Sequence, residues 1–211
     1  QRRSRIQFFK LNQSFLLSEL QLSKLSRSAP TLFLSPYPKI PLFGTSCPSI
    51  HTVHDVLDLT YPFYRKKPKK NFDLYRLKLA LQKASLTWYV SHWSLKETIN
   101  LTGFSGKNPK VRYLGIENLF VAERSDNETR IIKKYGLNKG YIFCIGNGLP
   151  HKNIGLLLKI SKNFNRPLVF AGVSKKNYLF WQATDNDCRT KWISQVSEAD
   201  LAAIYRGAFC L

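Results

Sequence analysis

The sequence predicts an α/β fold made of two doubly wound parallel-sheet domains, and three observations support this prediction. Short apolar segments typical of strands alternate with segments of helical periodicity along the chain. A polar stretch that begins at Ala122 interrupts this alternation, which then restarts. The run from Tyr141 to Ile145 is uninterruptedly apolar, as expected for a parallel strand that is covered on both faces.

The first half of the chain contains the elements of the first predicted domain, residues 1–121. Leucines and phenylalanines at helical spacing predict a helix within the first thirty residues. Ser91 is suited to cap a later helix that ends at Gly103. The other predicted elements are strands at 31–34, 49–53, 86–90 and 110–114 and a helix at 72–83.

The second half contains a predicted linker, residues 122–140, and a second domain, residues 141–211. Its predicted strands are 141–145, 168–172 and a short one at 192–193, and residues 208–211 resemble the beginning of another. A helix is predicted at 154–160, and another begins after Ser197, which is suited to be its N-cap.

The chain is strongly basic, with 33 lysines and arginines against 13 acidic residues and a formal net charge of +20. Such a charge attracts polyanions, which include nucleic acid, acidic lipid headgroups and phosphorylated substrates. No zinc spacing, helix-turn-helix or aromatic RNA-binding pattern favours nucleic acid, and no GxSxG motif favours a hydrolase. No apolar run approaches the length of a membrane-spanning helix, and the four cysteines form no CxxC pair, which favours a cytoplasmic location.

The segment from Gly146 to Asn153 is the strongest candidate for a functional site. It follows a predicted strand and precedes a predicted helix, where free N–H groups and the helix dipole favour a bound phosphate. Gly146 and Gly148 allow close approach of the backbone, and Lys152 adds a positive charge. The loop matches neither the Walker motif nor the dinucleotide fingerprint. The alternative interpretation is an ordinary strand-to-helix turn, in which glycine is common and the lysine is only solvated.

His54 and Asp55 are a second candidate, because they end a predicted buried strand where substrates of parallel sheets bind. Two interpretations stay open, a catalytic histidine and a histidine that only holds a loop carbonyl group. His51 lies three residues earlier and faces the opposite side of the strand, which predicts a packing role.

Five segments of the chain resemble, in order, characteristic segments of one enzyme family. They are Val53-His54-Asp55 with Tyr61-Pro62, Val90 to Ser94, Lys110 to Glu117 with Phe120, Tyr141 to Asn153, and Val196 to Ala208. The chain therefore resembles the retaining glycosyltransferases of family 4, also called glycosyltransferase group 1. The resemblance implies a GT-B fold, in which two Rossmann-like domains face a cleft, with part of each domain missing from this chain.

The resemblance also implies roles for individual residues. Gly146, Asn147 and Gly148 would line the diphosphate of the donor, and Lys152 would neutralise the diphosphate as it leaves. His54 would face the transferred sugar. The implied residues that line the cleft are Asp55, Ser91, Gly115 and His151. No metal or other cofactor is implied.

The activity implied by the resemblance is transfer of a hexose, with retention, from a nucleoside diphosphate sugar to a polysaccharide or lipid-linked acceptor. The basic surface would dock at the cytoplasmic face of an anionic membrane. The alternatives are a non-catalytic basic protein that binds nucleic acid or anionic membrane, and an inactive remnant. Because the family's donor-binding glutamate pair would follow the strand that begins near Phe209, this chain alone is expected to transfer sugar poorly or not at all.

Overall fold

Two four-stranded parallel sheets organise the chain, which is described here from a computed structural model. The model describes residues 10–11, 13–27, 32–65, 69–121, 127–185, 189–193 and 195–211. The chain divides into two compact units between Leu114 and Gly115. Each sheet lies within one unit, so each unit has its own hydrophobic core.

The first unit contains a sheet in which strands follow one another in the order β1-β2-β3-β4. Its strands are β1 (Phe33–Ser35), β2 (Ser49–Val53), β3 (Leu86–Tyr89) and β4 (Pro109–Val111). Its helices are α1 (Phe15–Leu25), α2 (Leu57–Thr60), α3 (Pro62–Arg65), α4 (Lys70–Lys83) and α5 (His92–Thr102).

The second unit contains a sheet of order β7-β6-β5-β8, in which the chain reverses its direction across the sheet. Its strands are β5 (Tyr141–Ile145), β6 (Leu168–Ala171), β7 (Lys191–Ile193) and β8 (Ala208–Cys210). Its helices are α6 (Asn118–Val121), α7 (Glu128–Lys134), α8 (Ile154–Ile160), α9 (Lys175–Thr184) and α10 (Glu198–Gly207). The reversal falls between β5 and β8, and in open parallel sheets this is where ligands bind.

The core of the first unit forms where α4 packs on the central strands. Val53 and Tyr89, from β2 and β3, are fully buried against Leu77 and Leu81 of α4. The Tyr89 hydroxyl donates to the carbonyl oxygen of Ser105 at 2.8 Å, so its polar end is satisfied. Burial raises the pKa of Tyr89 to about 12.

The core of the second unit joins β5 to α7 and α10. Tyr141 and Phe143 of β5 pack with Ile132 of α7 and Ile204 of α10. The Tyr141 hydroxyl donates to the Ile204 carbonyl oxygen at 2.7 Å. On this side of the sheet the two helices are further joined by an ion pair between Arg206 and Glu128.

The predicted fold class is confirmed: the chain is α/β with two parallel sheets. The reversal of strand order that defines a doubly wound sheet is present in the second unit. In the first unit, the four described strands are added one after another toward the same edge of the sheet. The stretch predicted as a linker, residues 122–140, contains α7, which packs into the core of the second unit. The helix predicted in the first thirty residues begins at Phe15, and residues 1–9 lie outside the described ranges.

None of the helices in the described ranges combines the length and the apolar character that crossing a bilayer requires.

Candidate functional site

The loop from Gly146 to Asn153 lies at the carboxyl end of β5, beside the reversal in strand order. The Gly146 N–H donates to the Ala171 carbonyl oxygen at 3.0 Å and closes the pairing of β5 with β6. Gly148 has a φ of +79°, in the left-handed region that favours glycine. A Cβ atom there would lie 2.8 Å from both Asn177 Cβ and Val173 Cγ1, so packing also selects glycine.

Helix α9 holds this loop through two side-chain hydrogen bonds. Asn177 Nδ2 donates to the Asn147 carbonyl oxygen at 2.8 Å, and Trp181 Nε1 donates to the Gly148 carbonyl oxygen at 2.9 Å. Within the loop, Asn147 Oδ1 accepts a hydrogen bond from the Leu149 N–H at 3.1 Å. The carbonyl groups of the loop are therefore engaged by the protein, which fixes the direction of its peptide groups.

The N–H groups of Asn147 and Gly148 have no hydrogen-bond partner among the described residues. They are adjacent in sequence and belong to a loop whose conformation α9 fixes. Neighbouring backbone N–H groups that the protein leaves without a partner are available to donate to an anion.

Lys152 provides a positive charge in the same loop. Its stem packs on Gly146. A Cβ atom built at Gly146 would lie only 3.2 to 3.3 Å from Lys152 Cγ, Cδ and Cε. Its ammonium group makes no hydrogen bond or ion pair with any residue in the described ranges. Burial raises the pKa of the Cys144 thiol, and the charge of Lys152 partly opposes that rise.

The structure changes one detail of the predicted loop. Residues Pro150–Lys152 form a 3-10 turn, and the seven-residue helix α8 begins only at Ile154, after Asn153 in the left-handed conformation. Lys152 therefore precedes the α-helix. His151 lies half-buried in the same turn.

A cavity of about 570 Å³ lies at the carboxyl ends of β5, β6 and β7, and its lining includes Ile145, the residue before the loop. It is lined by Ile145, Ala171, Gly172, Gln195, Val196, Ser197 and Leu201. A Cβ atom at Gly172, which has a φ of +77°, would lie 3.7 Å from the Gly146 carbonyl oxygen, so the ends of β5 and β6 approach closely. The second unit thus has, at the same end of its sheet, the glycine loop and a cavity of mixed polarity.

The first unit has its own cavity, of about 320 Å³, at the carboxyl end of β2. His54 and Asp55 both line it, together with Lys39, Asp58 and Asp73. His54 Nε2 lies 3.0 Å from the Pro36 carbonyl oxygen and donates to it, so Nε2 carries the proton in the neutral ring. Asp55 Oδ1 accepts a hydrogen bond from the Leu57 N–H at 2.9 Å, near the start of α2.

Two other predicted site residues have different surroundings. Ser91 forms a capping box with Ser94, in which its hydroxyl accepts from the Ser94 N–H at 3.1 Å, and it does not line the cavity of the first unit. Gly115 has no atom within 4 Å of an ideal Cβ position and no positive φ, so neither packing nor backbone conformation requires glycine there.

The sequence analysis missed Asn177 and Trp181. These residues are four apart on α9 and therefore share a helix face, a spacing that the sequence shows. Nothing in the sequence indicates that this face contacts a loop about thirty residues earlier in the chain.

Comparison with known proteins supports the fold. No protein-family model matches the chain, and no curated protein matches it. The chain is similar to HepE from Anabaena in complex with UDP-glucose, with a TM-score of 0.69 and 16% identity over 91% of this chain and 55% of that chain. HepE in complex with UDP and glucose gives a TM-score of 0.67 and 18% identity over 89% of this chain and 54% of that one. The chain thus spans about half the length of HepE, and at this identity the likeness establishes the Rossmann-like GT-B fold.

Proposed function

We propose that the loop Gly146–Asn153 binds the diphosphate of a nucleoside diphosphate sugar, and that the chain serves hexose transfer, with retention, to a polysaccharide or lipid-linked acceptor. One observation carries this proposal: the adjacent N–H groups of Asn147 and Gly148 have no partner among the described residues, and the stem of Lys152 packs on the neighbouring Gly146. The proposed acceptor and the stereochemical outcome rest on the resemblance of the sequence segments alone.

The chemistry of the loop suits a diphosphate. Phosphate oxygens accept hydrogen bonds from backbone N–H groups, and the absence of side chains at Gly146 and Gly148 lets the backbone approach them. A hydrogen bond to a charged group contributes about 1.5–3 kcal/mol. Two such bonds and the ammonium group of Lys152 would therefore hold a diphosphate without a metal ion.

Lys152 would also assist the reaction. When the bond between the anomeric carbon and the phosphate oxygen breaks, the electron pair remains on the departing diphosphate. The new bond forms between the same carbon and the acceptor oxygen, on the same face of the sugar, and the proton of the acceptor hydroxyl passes to the departing diphosphate oxygen. A fixed positive charge beside the departing group stabilises the charge that develops there.

The proposed donor is a UDP-sugar. HepE, which shares the fold, is described in complexes with UDP-glucose and with UDP and glucose. The cavity across the ends of β5, β6 and β7 adjoins the loop, and we assign it to the nucleoside.

His54 is the proposed catalytic residue of the first unit. Because its Nε2–H is used by the Pro36 carbonyl group, its Nδ1 is the ring atom left to accept a hydrogen bond from a sugar hydroxyl. The carboxylates of Asp55, Asp58 and Asp73, which line the same cavity, provide further acceptors for hydroxyl groups. This composition suits a hydroxyl-rich ligand.

Calorimetric titration with UDP, UDP-glucose and uridine tests the proposal. UDP and UDP-glucose should bind, and uridine, which lacks the diphosphate, should bind much more weakly. Lys152→Ala should weaken UDP binding about 10- to 100-fold, because it removes a charged partner of the phosphates. Lys159→Ala is the matched control, since Lys159 is equally exposed but lies along α8, and it should bind as the wild type does.

Duplex DNA discriminates the non-catalytic alternative. The proposal expects Lys152→Ala to leave DNA retention nearly unchanged. If UDP-sugars neither bind nor stabilise the chain while duplex DNA binds with a steep dependence on salt, the enzyme interpretation is wrong.

A further inference from the structure

A cavity of about 370 Å³ lies on the second unit, between α8 and the last turn of α9. Its lining also includes residues of the 3-10 turn Ser161–Asn163, which follows α8. This volume lies within the range of small-molecule sites, about 300–1,000 Å³. None of the lining residues belongs to the loop Gly146–Asn153 or to the cavity at the strand ends. The cavity is therefore separate from the candidate site.

Trp181 is an apolar wall of this cavity, and its ring is held at both ends. Its Nε1 donates to the Gly148 carbonyl oxygen at 2.9 Å. At the opposite end of the ring, a Cβ atom built at Gly155 would lie 3.1 Å from Trp181 Cζ3. Leu158, which is half-buried, adds apolar surface to the same lining. Because its contacts fix the indole, this wall is formed before a ligand binds.

Two hydroxyl groups in the lining have already used their protons. Ser161 is 2% exposed, and its Oγ donates to the Leu158 carbonyl oxygen at 2.8 Å. Thr184 Oγ1 donates to the Trp181 carbonyl oxygen, also at 2.8 Å. Toward a ligand, each of these oxygen atoms can therefore only accept a hydrogen bond. A ligand that matches them must supply donors, as the hydroxyl groups of a sugar do.

Two cations, Lys159 and Lys162, line the same cavity. Neither ammonium group makes a hydrogen bond or ion pair with a residue that the structure describes. Among the described residues that line the cavity none is acidic. Asp185, which follows Thr184, lies outside the lining and accepts a hydrogen bond from Trp192 Nε1 at 3.2 Å. Two lysines with no carboxylate in the same lining favour an anionic group such as a phosphate.

We propose that this cavity binds a sugar phosphate. The sugar ring lies against Trp181, its hydroxyl groups donate to Ser161 and Thr184, and its phosphate lies between Lys159 and Lys162. Inorganic phosphate matches only the two lysines, and an unphosphorylated sugar matches only the wall and the hydroxyl oxygens. The proposal goes beyond the proposed function, because the cavity lies outside the loop and its ligand has no nucleoside.

Calorimetric titration of the full chain with glucose 6-phosphate, glucose and inorganic phosphate tests the proposal. Glucose 6-phosphate should bind at least about tenfold more tightly than either of the other two, because only it engages all parts of the cavity. The double variant Lys159→Ala, Lys162→Ala should weaken its binding at least about tenfold. The matched control is Lys175→Ala, Lys176→Ala, which removes two exposed lysines of α9 outside the lining and should bind glucose 6-phosphate as the wild type does.

Thr184→Val tests the hydroxyl contact separately, because it keeps the shape of an exposed side chain and removes the acceptor oxygen. It should weaken the binding of glucose 6-phosphate about 2- to 10-fold, as expected for the loss of one neutral hydrogen bond. The affinity for inorganic phosphate should stay the same, since phosphate does not use this oxygen.

Three results would contradict the proposal. Inorganic phosphate could bind as tightly as glucose 6-phosphate, or the two double lysine variants could weaken binding equally, which would show that charge alone attracts the ligand. Loss of glucose 6-phosphate binding in Lys152→Ala, with binding retained in Lys159→Ala, Lys162→Ala, would place the ligand in the glycine loop instead. UDP binding should be the same in the latter variant as in the wild type, so this experiment and the nucleotide titration fail independently.

Discussion

The backbone at Gly148 shows what a single residue contributes to the loop. Its φ is +79°, and a Cβ atom would overlap both Asn177 and Val173. Gly148→Ala should therefore lower the free energy of unfolding by about 1–3 kcal/mol and weaken UDP binding, because the loop must move. Urea unfolding and calorimetry measure the two effects. Gly115→Ala is the control and should change neither quantity, since no atom lies within 4 Å of a Cβ at that position. Equal effects of the two variants would contradict the structure of the loop.

His51 makes the free energy of unfolding depend on pH. His51 is fully buried, its Nε2 contacts Thr87 Oγ1 at 3.0 Å, and its Nδ1 has no hydrogen-bond partner among the residues that the structure describes. Burial lowers the pKa of His51 from 6.5 to about 4, because the buried site disfavours the charged ring. The unfolded chain therefore binds a proton between these two values and the folded chain does not.

The contribution of this residue to the free energy of unfolding should consequently be fully present above pH 6.5. It should decrease as the pH is lowered toward 4, by up to about 3 kcal/mol. Urea unfolding at several pH values measures the fall. His51→Gln cannot titrate and should show a smaller decrease between pH 7 and pH 5. A decrease of the same size in that variant would show that His51 is not its cause.

Among the elements, α9 fixes the conformation of the loop. Asn177→Asp keeps the size of the side chain but replaces the N–H donor to Asn147 with a carboxylate oxygen. UDP binding should weaken about tenfold, because a hydrogen bond is lost and a negative charge is placed near the phosphates. Calorimetric titration measures the effect. Gln182→Glu makes the same change of charge on an exposed part of the same helix, and it should have little effect on UDP binding. Equal weakening of UDP binding by both variants would indicate that net charge alone matters.

The elements also show how far the sequence could predict the structure. The strand Tyr141–Ile145 was predicted with its observed bounds, because an uninterrupted apolar run has few alternatives. Helix α7 was not predicted, since Ile131 and Ile132 are the only apolar residues in it. It is stabilised by tertiary contacts, namely the burial of Ile132 and the Glu128–Arg206 ion pair, which connect residues far apart in sequence.

The candidate site was predictable to a similar extent. Glycine spacing and strand position identified Gly146, Gly148 and Lys152. The hydrogen bonds from α9, and the two N–H groups that have no partner in the described part of the chain, could not be predicted, because they depend on how two distant segments pack.

At the scale of the whole molecule, net charge complicates every binding experiment. A chain of charge +20 attracts any polyanion to some degree. Binding of a phosphate compound alone is therefore weak support for a specific site, and each test needs a variant that keeps the charge or changes it elsewhere.

The whole fold also indicates where the proposed nucleotide would bind. Only the second sheet reverses its strand order among the described strands, and the loop lies at that reversal. The central claim is accordingly local: the N–H groups of Asn147 and Gly148 hold the phosphates.

Nuclear magnetic resonance of the Gly148 amide tests this claim most directly. Asn147 and Gly148 are the only Asn–Gly pair among the 11 glycines of the sequence, so carbonyl-13C asparagine with 15N glycine labels this one amide. Titration with UDP should move its proton signal downfield to saturation, because a hydrogen bond to a phosphate oxygen forms, and uridine should leave the signal in place. A Gly148 signal that stays unchanged while UDP binds, or that moves equally with uridine, would contradict the account.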